Sequence, residues 1–135
     1  MSTADALRQS AFEVLEEGMF VFLDPAVPSD PAPALRYRMA IEGSHCAEIG
    51  LAMSEGFARQ VAGGMMGMDP DEVEDADLRL SAAEALNIVA GKVAAMVAGF
   101  GAELELRPPV AGGEPLGDVV AFDAEGGHLQ LWYAA

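Results

Sequence analysis

Residues 78–100 read Leu78-Arg79-Leu80-Ser81-Ala82-Ala83-Glu84-Ala85-Leu86-Asn87-Ile88-Val89-Ala90-Gly91-Lys92-Val93-Ala94-Ala95-Met96-Val97-Ala98-Gly99-Phe100. Ala, Leu and Met dominate this run, so helix propensity is high throughout. At about 100° per residue, Leu78, Ala82, Ala85, Leu86, Val89, Val93, Met96, Val97 and Phe100 fall on one stripe. That stripe predicts the core face of an amphipathic helix. On the other side Glu84, Asn87 and Gly91 lie within about 60° of one another, among Leu80, Ile88, Ala94, Ala95 and Ala98. A solvated helix face normally carries Lys, Glu and Arg. A face of one acid, one amide, one glycine and small apolar residues is expected to be covered by another layer of the chain, a second subunit or a partner.

Before this helix stands an acidic linker, Asp69 to Asp77, whose carboxylates favour the positive end of the helix dipole. Earlier still, Phe57, Val61, Ala62 and Met65 predict a helix from Glu55, with Ser54 as N-cap and Gly67 as the stop. Leu35, Tyr37, Met39 and Ile41 alternate with Arg36, Arg38 and Glu42, which reads as a half-buried strand. After the turn signal Gly43-Ser44 comes a second strand with Ala47, Ile49, Leu51 and Met53 on one parity, hence an antiparallel hairpin. At the N-terminus Ser2, Thr3 and Asp5 offer caps for a first helix. Its apolar positions are Ala6, Phe12, Leu15, Met19, Phe22 and Leu23, and Asp24-Pro25 ends it. Gly18 either weakens that helix by roughly 1 kcal/mol or permits a close crossing. Pro25 to Pro33 holds four prolines and reads as an extended, dispensable surface loop.

Beyond Gly99 and Gly101 the period returns to two, with Leu104 and Leu106 in a strand ended by Pro108-Pro109. A loop at Gly112-Gly113-Glu114-Pro115 follows, then a strand from Leu116 to Asp123. Gly126-Gly127 is a turn. The last strand has Leu129, Leu131 and Tyr133 on one parity and His128, Gln130 and Trp132 on the other. The order is helix, two strands, two helices, three strands, which predicts an α+β fold with an antiparallel sheet rather than alternating α/β. Trp132 on the outward parity of a terminal, edge strand predicts pairing with another copy, hence a homodimer.

The 135 residues suggest one domain, 1–135, able to bury a core without metal or disulfide staples. A net charge of −15 argues against nucleic acid and against an anionic membrane surface. Cys46 is the single cysteine, which fits a reducing compartment. There is no basic-then-apolar leader, and no apolar run approaches the roughly 20 residues of a membrane span. The expected location is cytoplasmic.

The run Glu84-x-x-Asn87 followed by Ile88-Val89-Ala90-Gly91 resembles the signature helix of the CheC and CheX family of chemotaxis phosphatases. The flanking elements also follow that family's order. In two-site members the first helix carries a second copy of the motif. Here Glu13-Val14-Leu15-Glu16 and Glu17-Gly18-Met19-Phe20 lack the Asn, so the chain resembles the single-site CheX branch. The resemblance implies hydrolysis of the aspartyl phosphate on a response-regulator receiver domain, a phosphorylated CheY-like partner. It implies that Asn87 orients the attacking water, that Glu84 pairs with a receiver Lys, and that Leu80, Ile88 and Gly91 line the docking face. No cofactor of its own is expected, because the receiver supplies the divalent metal ion. Phosphoryl transfer is catalysed mainly by positioning and charge stabilisation, and an amide offers both a donor and an acceptor. On spacing alone, Glu84 and Asn87 also read as an ordinary polar pair on an exposed helix face. The alternative function is a non-catalytic binding module that docks a receiver or another signalling partner. A purely structural α+β dimer is a third reading.

Other chemistry is poorly supported. His45, His128 and Cys46 are too few, and at no recognisable spacing, to hold a metal. Asp69 to Leu80 fails as a calcium loop, with Glu74 where Gly is wanted and Leu80 where Glu is wanted. The glycine pairs match no phosphate-binding pattern, and the serines have no nucleophile-elbow context. Met53, Met65, Met66, Met68 and Met96 read as core filler.

Overall fold

The computed structural model describes residues 2–28, 34–99 and 103–135. Among these, three α-helices pack on one antiparallel sheet. The chain runs α1 (Thr3–Ala11), β1 (Asp24–Ala26), β2 (Ala34–Gly43), β3 (Ala47–Ser54), α2 (Glu55–Met66), α3 (Asp75–Ala98), β4 (Leu104–Leu106), β5 (Val110–Ala111), β6 (Asp118–Ala124) and β7 (Gly127–Ala134). The strand order is β1-β6-β7-β3-β2-β4, with β5 also paired to β2. The α+β class and the antiparallel sheet agree with the expectation from the sequence.

The expected β2–β3 hairpin forms, with Met39 opposite Ile49 and Tyr37 opposite Leu51. Its inward residues join Leu129, Leu131 and Tyr133 of β7 in one buried cluster with Leu7 of α1, Phe57 and Val61 of α2, and Leu86, Val89 and Val93 of α3. The helices therefore cover the face on which the apolar parity of every long strand points.

Ser54 is the cap predicted for α2, and its hydroxyl does more than cap. Its Oγ accepts from Phe57 N at 3.3 Å and from His128 N at 3.0 Å, so one side chain ties the helix start to β7. Replacing Ser54 by Ala is expected to destabilise the fold by about 1–2 kcal/mol, since a helix cap is lost and a strand N–H loses its acceptor. A urea titration monitored by circular dichroism measures that shift. Gly67 ends α2 in the left-handed conformation at φ 65°, as expected.

Four expectations are corrected. The first helix does not run to Leu23. Residues Phe12–Glu17 continue α1 as a π-helix, and the chain turns at Phe20, whose φ is 58°. The wider winding rotates the apolar stripe, so Val14 and Leu15 are buried while Phe12 and Phe22 are exposed. The prolines do not make a continuous loop from Pro25. Pro25 sits in β1, on the sheet edge opposite Phe122, where a missing N–H is tolerated. Residues 29–33 of that stretch lie outside the described residues, as does Phe100. In the C-terminal half, β5 is an additional short strand, and β6 begins at Asp118 rather than Leu116.

The fourth correction concerns Trp132. β7 lies between β6 and β3, not at an edge, and Trp132 is fully buried. The segment 112–117 leaves β5 beside β2 and must reach β6 beyond β7, so it straps the face of the sheet away from the helices. Arg36 holds the strap by a 2.8 Å ion pair to Glu114 and a 3.4 Å hydrogen bond to the Gly113 carbonyl. Beneath it Trp132 lies against Gly50, where any Cβ would collide with the indole ring. The indole N–H donates to Glu48 Oε2 at 2.9 Å. Trp132 and β7 therefore offer no exposed edge for pairing with a second copy.

Candidate functional site on the outer face of α3

α3 spans 24 residues, about 36 Å at 1.5 Å per residue. Asp75 and Asp77 occupy its first turn. Arg59 of α2 fastens this start. Its guanidinium donates to the Val73 carbonyl at 3.0 Å and lies 3.6 Å from the Asp75 carboxylate. Nothing in the sequence pattern marks Arg59 for that task, because its partners lie in a linker whose path periodicity does not reveal.

By length and composition α3 would suit a membrane span, with a mean hydropathy of 1.4 over its most apolar window. This revises the sequence reading, which saw no apolar run of that length. Its apolar side is occupied within the fold. Leu78, Ala82, Ala85, Leu86, Val89 and Val93 are buried, as the stripe predicted. Ala90 and Ala94 are buried too, so Ala94 belongs to the packed side and not to the outer face. Val97, placed on the core stripe, is 36% exposed near the helix end.

The outer face is bare. Leu80 is 69% and Ile88 37% exposed. Glu84, Asn87, Gly91 and Ala95 are exposed beside them. Glu84 and Asn87 stand one turn apart, and neither side chain has a hydrogen-bond or ion-pair partner among the described residues. A Cβ built on Gly91 meets nothing within 4 Å. No packing among the described residues therefore requires a glycine at this mid-helix position. The five residues singled out from the sequence, Leu80, Glu84, Asn87, Ile88 and Gly91, thus share one solvent-facing patch.

Two features beside the patch were not legible. Lys92 reaches across to Glu13 Oε2 at 3.4 Å, pairing α3 with the π-helical segment. Glu16 of that segment accepts a hydrogen bond from Leu23 N at 3.1 Å. These two acids of the first helix are thereby committed to internal partners. Among the described residues no group of three or more His, Cys, Asp or Glu is arranged to hold a metal ion.

The family model for chemotaxis phosphatase CheX matches residues 37–113, more than half of the chain and including all of α3. The chain belongs to the CheX family. No curated protein sequence matches it significantly. Among solved structures it is similar to the chemotaxis protein CheX from Vibrio vulnificus, with a TM-score of 0.81 and 16% identity over 99% of this chain and 96% of that one. It is similar to CheX from Desulfovibrio desulfuricans, with a TM-score of 0.74 and 18% identity over 99% of each chain. It also resembles a chain of the CheX-CheY-BeF3-Mg2+ complex from Borrelia burgdorferi, at a TM-score of 0.74 and 17% identity over 98% of this chain and 97% of that one. At these identities the likeness shows the CheX fold over essentially the full length, and the roles of single residues rest on the geometry of α3.

Proposed function

We propose that this CheX-family chain hydrolyses the aspartyl phosphate of a CheY-like receiver domain through the outer face of α3. The observation that carries the reading is the pair Glu84 and Asn87, exposed and unpartnered on a face otherwise built of small and apolar residues. The complex of the Borrelia burgdorferi relative with CheY, BeF3 and Mg2+ supports the partner class, since BeF3 mimics a phosphoryl group.

Each residue has a defined task in this reading. Leu80 and Ile88 supply apolar contact at the interface, and Gly91 leaves room for the partner's backbone. The Glu84 carboxylate accepts from a receiver Lys and fixes the docked orientation. The Asn87 amide holds a water in line with the phosphorus, accepting one of its hydrogens through Oδ1. Attack by that water forms a P–O bond and breaks the acyl-phosphate P–O bond. The receiver's Asp leaves as a carboxylate, and inorganic phosphate carries away the water's oxygen. The divalent ion that neutralises the phosphoryl oxygens belongs to the receiver. In this reading the chain acts in the cytoplasm. The test is phosphate release from a phosphorylated receiver with and without this protein. No acceleration alongside measurable receiver binding would select the non-catalytic docking module instead.

Gly91 gives an independent check. Replacing it by Ala is expected to stabilise the isolated protein by about 0.5–1 kcal/mol, because a mid-helix glycine is replaced where a methyl group meets nothing. The same methyl group should weaken receiver binding. A melting temperature that rises while affinity falls identifies Gly91 as an interface residue. Affinity unchanged in the stabilised variant removes it from the docking face.

A further inference from the structure

A second surface, sharing no residue with α3, lies where the end of the first helix meets α2, β1 and the β6–β7 turn. Phe20 and Phe22 are 75% and 69% exposed, while Val21 between them is buried. They flank a cleft of about 250 Å3 shared with Asp24, Gln60, Ala124 and Glu125. That volume is below the roughly 300–1,000 Å3 of small-molecule pockets and suits an inserted side chain rather than a cofactor.

The loop that displays the two rings is held in place. Val21 N donates to the Leu15 carbonyl at 2.8 Å, and Leu23 N donates to Glu16 Oε2 at 3.1 Å. The Met19 carbonyl sits against Gly64, where no Cβ would fit. Phe20 itself has φ 58°, the single positive-φ residue other than glycine among the described residues. A helix end of this kind usually takes glycine. A bulky aromatic in a strained backbone position, turned to water, is unfavourable twice over for the isolated chain, and strain of this kind clusters at functional sites.

Charge decides the occupant. The polar rim carries the carboxylates of Asp24 and Glu125, and among the described residues no Lys or Arg lines the cleft. Asp123 is the cross-strand partner of Asp24 on the neighbouring β6, and its carboxylate is held 2.7 Å from His128 Nδ1. A second copy would bring the same acids face to face, whereas a basic segment would complement them. We propose that this cleft docks a short segment of a partner protein in which an aromatic or aliphatic anchor is flanked by Lys or Arg.

The experiment selects a random peptide library on phage against the full chain, with counter-selection against a Phe20→Gly/Phe22→Ser variant. Glycine suits the backbone at residue 20, so this variant is expected to fold with an unreduced melting temperature, which a melt confirms before use. The expected outcome is enriched peptides bearing a Lys- or Arg-flanked apolar anchor. By calorimetry these should bind the parent at least tenfold more tightly than the double variant. Asp24→Asn/Glu125→Gln should lose a comparable factor, and binding should weaken with salt. Enrichment of neutral or acidic peptides, equal binding to the variants, or no enrichment at all overturns the proposal. So does a sedimenting dimer that Phe20→Gly/Phe22→Ser dissolves, which would assign the cleft to a second copy.

Discussion

Asn87→Ala is expected to slow dephosphorylation of a phosphorylated receiver by about 100-fold or more while leaving receiver affinity nearly unchanged. In the proposed reading the amide acts on the attacking water, and positioning effects of this kind reach at least that size. A 100-fold loss corresponds to about 2.7 kcal/mol of barrier. An interaction made only in the transition state lowers kcat and kcat/KM together. Glu84→Ala should behave differently. Its contact is already made in the complex, so KM and the dissociation constant rise, with an upper bound of about 2–5 kcal/mol if the receiver Lys is left unpaired in a closed interface. Both side chains are exposed and lack internal partners. Neither substitution should therefore change stability by more than about 0.5 kcal/mol. The measurements are phosphate release, a binding titration and a melt on each variant. If both variants dephosphorylate the receiver like the parent, neither Glu84 nor Asn87 takes part in the reaction and the proposed reading of α3 fails.

The α3 face was legible because it depends on one periodic element. Helical spacing alone separated Leu86, Val89 and Val93 from Glu84, Asn87 and Gly91, and no information from distant sequence was needed. The β2–β3 hairpin and the inward parity of β7 were legible for the same reason, since a two-residue period is also local. What failed was non-local. A π-helical segment costs no recognisable sequence signal, yet it rotates every residue after Phe12 and moves the helix end from Leu23 to Met19. Ala94 lay near the edge of the outer arc, and only the packing of α3 between its neighbours decides that it is buried. The place of β7 within the sheet depends on how strands far apart in sequence are ordered, which alternation cannot specify. Trp132 was misplaced on that account. Its parity was read correctly, but the strap that covers its side of the sheet, Gly112-Gly113-Glu114-Pro115-Leu116-Gly117, has no apolar period of its own.

Trp132→Ala is accordingly expected to destabilise the fold by about 3–5 kcal/mol, the range for removing a large buried aromatic side chain. An exposed edge tryptophan would cost within about 0.5 kcal/mol, so the measurement discriminates between the two placements. The indole is fully buried, rests on Gly50 and is roofed by Gly113, where an added Cβ would lie 3.0 Å from the ring. Gly50 cannot move inward to fill the void because it belongs to β3, a central strand paired on both sides. The cavity should therefore persist, and the strap should lose its seat. Trp132→Phe keeps much of the volume but removes the donor to Glu48 Oε2, whose carboxylate then retains, among the described residues, Arg38 at 3.5 Å. That variant should lose about 1.5–3 kcal/mol, the cost of a hydrogen bond to a charged group. Against a total stability of about 5–15 kcal/mol, the Ala variant should unfold at a much lower urea concentration with little change in slope. The chain has a single tryptophan, so its own fluorescence supplies a second readout in the parent. Emission should be shielded from iodide in the native state and become quenchable only on unfolding. Strong quenching in the native protein would place the indole in water and return β7 to the sheet edge.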